Sequence, residues 1–377
     1  MTVSRVFTGA FVRSARGALK STKLVREFVT TPFNNLSKGD VEFLKGTEKV
    51  LLTQLELAPK AIKGMGQVVF GGEKFAAKKA NILKFAETTG DRKLYRQISK
   101  TNDPEELYKI CSDYNMRLVN NLQTEYKNLL NLTNGKTTLA LEQECTKLTE
   151  DRVSKVLGLY KSIGEKSTIP EVLKIEQELM QRYGMKHVNL QNDLNRGEEI
   201  LKVVKLLKEK GYPIPDNVIV SDLHMATGEL MRINGQNTMV LQSTKFAEKM
   251  GEAVNSMEFA VNVAKKVGAK AFEPYQSRII PLYQSGLGQM STNLPEHIVM
   301  HECLHGNHPR LLAFMAGRIP AQYKPVIPKI SLYTNINCNK AEILTELETE
   351  FALTGKLSPE KTELFKTFKN ARYNAIG

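Results

Sequence analysis

Four of the chain's six histidines stand within twelve residues, at positions 297, 301, 305 and 308. Inside this cluster residues 301–305 read His-Glu-Cys-Leu-His. On an α-helix, residues four apart sit one above the other on the same face, so the imidazoles of His301 and His305 can reach one metal ion. Zn²⁺ takes such nitrogens at about 2.0–2.1 Å. Glu302 follows the first of them and projects beside the ion, where its carboxylate can take a proton from a bound water. The segment has helical punctuation, with Pro295 near the first turn and Gly306 past the last. Ile298, Val299, Cys303 and Leu304 are uncharged, as a buried helix requires. No competing reaction centre is present: there is no P-loop, no GxGxxG after a strand and no GxSxG elbow.

On these residues the region from about 211 to 377 resembles the zincin metallopeptidases, in particular the gluzincin type, in which a Glu from a later helix completes the zinc site. The resemblance implies a Zn²⁺ cofactor, a peptide or protein substrate, and peptide hydrolysis with Glu302 as general base. It also implies an antiparallel sheet and a backing helix upstream of the motif, with an edge strand that pairs with the substrate backbone. The corresponding segments here are a hairpin at 229–242 and a helix at 244–267. Asn307 departs from the family pattern, which usually has an apolar residue there.

The third ligand implied by the resemblance lies on a helix over residues 339–353. Glu346-x-x-x-Glu350-Phe351-Ala352 is similar to the family's order of ligand, then orienting acid, and assigns the metal to His301, His305 and Glu346, with Glu350 orienting a ligand histidine. Glu342-x-x-x-Glu346 is a second frame. Helical facing alone favours Glu350, if Ile343, Leu344, Leu347 and Phe351 form the buried stripe. Without the upstream motif, so acidic a face reads as solvated. His308 reads as a loop residue or a transition-state donor rather than a ligand, and His297 as a structural residue at the helix start. Cys303 points away from the metal face, into the core. His308, Arg318, Tyr323 and Tyr333 are the candidate oxyanion donors.

The elements that must position these residues fall into two kinds. Before residue 211 the chain reads as long amphipathic helices. Asp103-Pro104-Glu105-Glu106 is a start signal, and Leu107, Ile110, Tyr114, Leu118, Leu122, Tyr126 and Leu129 make one buried stripe up to Asn134-Gly135. Further helices are expected at 139–163, at 170–183 behind a Thr168 cap, and at about 190–210. After residue 211, where ten of the 14 prolines lie, the period shortens. Strands are expected at 217–221, 229–233 and 238–242, the last two flanking the turn Asn234-Gly235-Gln236-Asn237. The expected fold class is α+β: a basic arm (1–39), an all-α region (40–210), and a zincin-like domain (211–377) with a small antiparallel sheet packed on helices.

Composition narrows the class further. The 377 residues are 41% hydrophobic and 25% charged, the balance of a globular protein, with no apolar run near the ~18 residues of a spanning helix. Four scattered cysteines make no disulfide framework and fit a reducing, cytoplasmic setting. Of the net charge of +13, residues 1–39 supply seven Lys/Arg against Glu27 alone. This arm has the composition of an organelle transit peptide, or of a basic helix that contacts an anionic surface. The rival reading from another class is a non-enzymatic basic helical protein that binds a membrane surface or nucleic acid, its zinc site structural or absent. No aromatic-basic motif or zinc-finger spacing supports that reading.

Overall fold

The computed structural model describes residues 64–132, 139–223, 228–248, 290–292, 294–306, 319, 321–331, 334 and 340–376. The basic arm, most of the expected 244–267 helix, Asn307, His308, Arg318, Tyr333 and Cys338 lie outside them. The class is α+β: mostly helical, with one four-stranded sheet. Among the described residues no helix is long and apolar enough to cross a membrane. The sequence places a boundary near residue 211, whereas contacts group residues 64–247 with 298–306 and, separately, 290–297 with those from 319 to 376.

In the first unit, α1 (Met65–Phe70), α2 (Lys74–Thr88) and α3 (Arg92–Lys100) lead into a long pair, α4 (Pro104–Leu132) and α5 (Leu139–Ile163). The Asp103 carboxylate accepts from Glu105 N–H at 3.2 Å, as its capping role requires. Leu107, Ile110, Tyr114 and Leu122 of the expected stripe are buried. α1 meets α4 through Gly66, where a Cβ would lie 2.4 Å from Glu105 Cα. The rings of Phe85 and Tyr114 pack edge to face at 5.9 Å and join α2 to α4.

α6 (Pro170–Tyr183) follows, but Thr168 does not cap it. Its N-cap is Ile169, and Asn192 Oδ1 accepts instead from the N–H groups of Thr168 and Ile169, at 2.7 and 3.0 Å. A strand that the sequence did not suggest, β1 (His187–Asn189), comes next. The following helix, α7 (Leu194–Glu209), therefore starts four residues later than expected, behind Asp193, whose side chain accepts from Arg196 N–H.

β2 (Asn217–Ser221), β3 (Gly228–Ile233) and β4 (Gln236–Gln242) complete the sheet in the order β1-β2-β4-β3. The sheet is mixed rather than antiparallel: β1 and β4 both run parallel to β2, and only β3 and β4 are antiparallel. Two connections account for the parallel pairs: the β1-α7-β2 crossover, and the passage from β2 out to β3 that returns β4 alongside β2 in the same direction. The hairpin turn is two residues long, because Ile233 already pairs with Gln236. Asn234 and Gly235 take φ of 50° and 72°, the left-handed pair that suits a right-twisted hairpin. Among the described residues β3 is an edge strand.

Alternation decides what covers the two faces of this edge. Glu229 and its partner Val240 point to one face, towards α5, where Arg152 clasps the Glu229 carboxylate at 2.7 and 3.2 Å. Leu230 and Met239 point to the other, where Met239 Sδ lies 3.6 Å from Cys303 Sγ. The motif helix α8 (His297–Leu304) thus packs on the sheet through Cys303, as the sequence implied.

The second unit is built around α9 (Lys340–Thr354) and α10 (Pro359–Ile376). Leu344, Leu347, Leu364 and Phe368 pack with Tyr323, Ile327 and Ile330. Ile343, Leu344 and Leu347 are buried as expected, but Phe351 is 44% exposed. α9 is enclosed on all sides over its first two and a half turns, so Glu342, Glu346 and Glu348 are buried together with the leucines. A facing argument centred on Phe351 therefore fails, and the acids are not a solvated face.

Candidate metal centre

α8 begins where Pro295 and Glu296 form a turn, closed by His297 N–H donating to Leu294 O at 3.0 Å. It ends as His305 N–H donates to His301 O and Gly306 N–H to Cys303 O. Val299, Met300, Cys303 and Leu304 are all buried, so packing fixes the helix and with it the polar side chains on its remaining side. Burial, with Glu302 adding to it, holds the Cys303 thiol well above its ordinary range and leaves it un-ionised.

His301, Glu302 and His305 are themselves buried. The two imidazoles stand nearly perpendicular, at 86°, with ring centroids 4.8 Å apart. One ligand atom from each of His301, Glu302 and His305 lies within 4.8 Å of the others. Imidazole nitrogens and a carboxylate oxygen gathered in a buried setting are groups that could hold a metal ion. The residues present therefore fit a metal, and its identity is left to the chemistry of the donors.

Glu302 has a further set of contacts on β3. Its Oε2 accepts from Leu230 N–H at 3.0 Å. Its Cγ occupies the space beside Gly228, where a Cβ would lie 2.5 Å away. Sequence spacing offered no signal for this arrangement, since it joins residues more than 70 positions apart.

In the second unit Glu346 is fully buried and bound on both carboxylate oxygens. Oε2 faces His297 Nε2 at 3.1 Å, and Oε1 accepts from Ser291 N–H. On the other side of the ring, Nδ1 lies 2.9 Å from the Thr292 hydroxyl. His297 is thus held on both sides, by Thr292 and by Glu346.

Other expectations are corrected. Glu350 does not orient a histidine: both its oxygens accept from Lys361 Nζ, at 2.9 and 2.7 Å. Tyr323 is no oxyanion donor, for its hydroxyl is paired with Thr367 Oγ1 at 2.8 Å and its ring packs in the α9/α10 core. Glu342 is buried on α9 one turn before Glu346. Comparison of the chain with protein-family models, curated proteins and solved structures finds no match in any of the three.

Proposed function

We propose that this chain is a zinc-dependent metallopeptidase of gluzincin type, with His301, His305 and Glu346 as metal ligands and Glu302 as general base. The observation that carries the reading is the buried His301-Glu302-His305 cluster, whose ligand atoms lie within 4.8 Å of one another on a helix packed against the sheet. The assignment of Glu346 rests on the resemblance alone, through the order Glu346-x-x-x-Glu350 on α9. A bound Zn²⁺ would supply a water of pKa near ~7 and polarise a carbonyl oxygen.

The chain's own residues do the rest. His301 and His305 present neutral imidazole nitrogens from one helix face. Glu302, anchored at Oε2 by the Leu230 amide, receives the water's proton at Oε1 and passes it to the leaving amine. β3, as the edge strand beside Glu302, is where an extended peptide backbone would align.

The test is Glu302→Gln assayed against a mixed peptide library in zinc-supplemented buffer. The amide keeps the volume but cannot take the proton, so hydrolysis should fall by ~10²–10⁴-fold with zinc retained. A variant as active as the wild type would refute the assignment.

A further inference from the structure

We propose that the Gly228–Leu230 segment of β3 is a positioning cradle that fixes the orientation of the Glu302 carboxylate. The proposal rests on the reading of Glu302 as general base and names what aims it.

Three features converge on one side chain. First, the Leu230 N–H points away from the β3–β4 ladder, because it donates to Glu302 Oε2. An outward amide on an edge strand ordinarily faces water or another strand, and here it holds one oxygen of the Glu302 carboxylate. Second, Gly228 provides room. An alanine there would place its Cβ 2.5 Å from Glu302 Cγ, 3.2 Å from Glu302 Cδ and 3.1 Å from Leu241 Cδ2. The Gly228 backbone is not left-handed, so the glycine is needed for space and not for its φ.

Third, Glu229, between these two residues, is clamped by Arg152 with both partners almost wholly buried. Two parallel charge-assisted bonds fix a direction as well as a distance, so β3 is held to α5 at the residue where it must meet Glu302. A glutamate side chain has three rotatable bonds. Fixing it before substrate arrives removes the misaligned rotamers that would otherwise compete with the productive one.

Two measurements on the full chain test the cradle. Residue-resolved hydrogen exchange should show the Leu230 amide protected in the wild type and exchanging roughly tenfold or more faster in Glu302→Ala. The Met231 amide, which alternation turns into the ladder, should not change. In peptide hydrolysis, Gly228→Ala should lower kcat about tenfold or more with KM and zinc content unchanged. It should have no added effect in a Glu302→Gln background. The cradle is overturned if the Leu230 exchange rate is indifferent to Glu302→Ala, or if Gly228→Ala loses zinc in step with activity. If the wild type hydrolyses no peptide, the peptidase reading fails, while the exchange result still decides whether β3 holds Glu302.

Discussion

Replacing Arg152 with Met removes one half of the bidentate pair that pins β3 and leaves the Glu229 carboxylate in a site only 3% exposed. Desolvating an ion costs several kcal/mol, and the two Arg152–Glu229 hydrogen bonds that offset it, at 2.7 and 3.2 Å, are lost together. Breaking a buried pair from one side typically costs ~3–5 kcal/mol. That is a large part of the ~5–15 kcal/mol by which domains are stable. With a urea m-value of ~2 kcal/mol/M, the unfolding midpoint of the sheet-bearing unit should drop by roughly 1.5–2.5 M. The double variant Arg152→Met/Glu229→Leu replaces the pair with apolar side chains of similar volume and should recover most of that loss. Urea titrations of the wild type, both single variants and the double variant, followed by hydrogen exchange at β3, supply the coupling energy. A single-variant cost below about 1 kcal/mol, or a double variant as unstable as the sum of the singles, would show that the pair is not a buried clamp.

Glu346→Ala should lower zinc content sharply, whereas Glu350→Ala should leave it unchanged and reduce only stability, since Glu350 holds Lys361; metal analysis of both variants after dialysis reads the difference. His187 should make the protein less stable on the acid side. The residue is exposed, yet partial desolvation of its ring first, and then Lys161, hold its pKa below the ordinary value, so the unfolded chain takes up the proton sooner as pH falls. This stability is complete well above the unfolded pKa of ~6.5 and declines below it towards the lower folded value. His187→Gln should flatten that decline in urea midpoints measured between pH 7 and pH 5, and an unchanged slope would count against it.

Much of the scaffold was legible because its signals are local. Asp103-Pro104 starts α4, the 139–163 and 170–183 patterns match α5 and α6, and Asn234-Gly235 makes the hairpin with left-handed φ at both residues. β1 was not legible: three residues, one of them exposed, carry too little alternation to mark a strand. The sheet was expected to be wholly antiparallel because the β3–β4 hairpin was legible, whereas the parallel pairing of β2 with both β1 and β4 was not. α9 misled for a different reason, since a helix enclosed on every side has no polar face to mark its orientation. In the site, the His301-Glu302-His305 helix and the core position of Cys303 follow from helical spacing. The grip of Leu230 and Gly228 on Glu302, and of Ser291 on Glu346, depends on long-range packing that no spacing records.

Zinc stoichiometry measured by equilibrium dialysis on the full chain tests the central claim most directly. The account predicts one tightly held zinc per chain in the wild type and in Glu302→Gln, and loss of that zinc in both His301→Ala and His305→Ala, each still folded by circular dichroism. Substoichiometric zinc in the wild type, or zinc that His301→Ala leaves untouched, would contradict it.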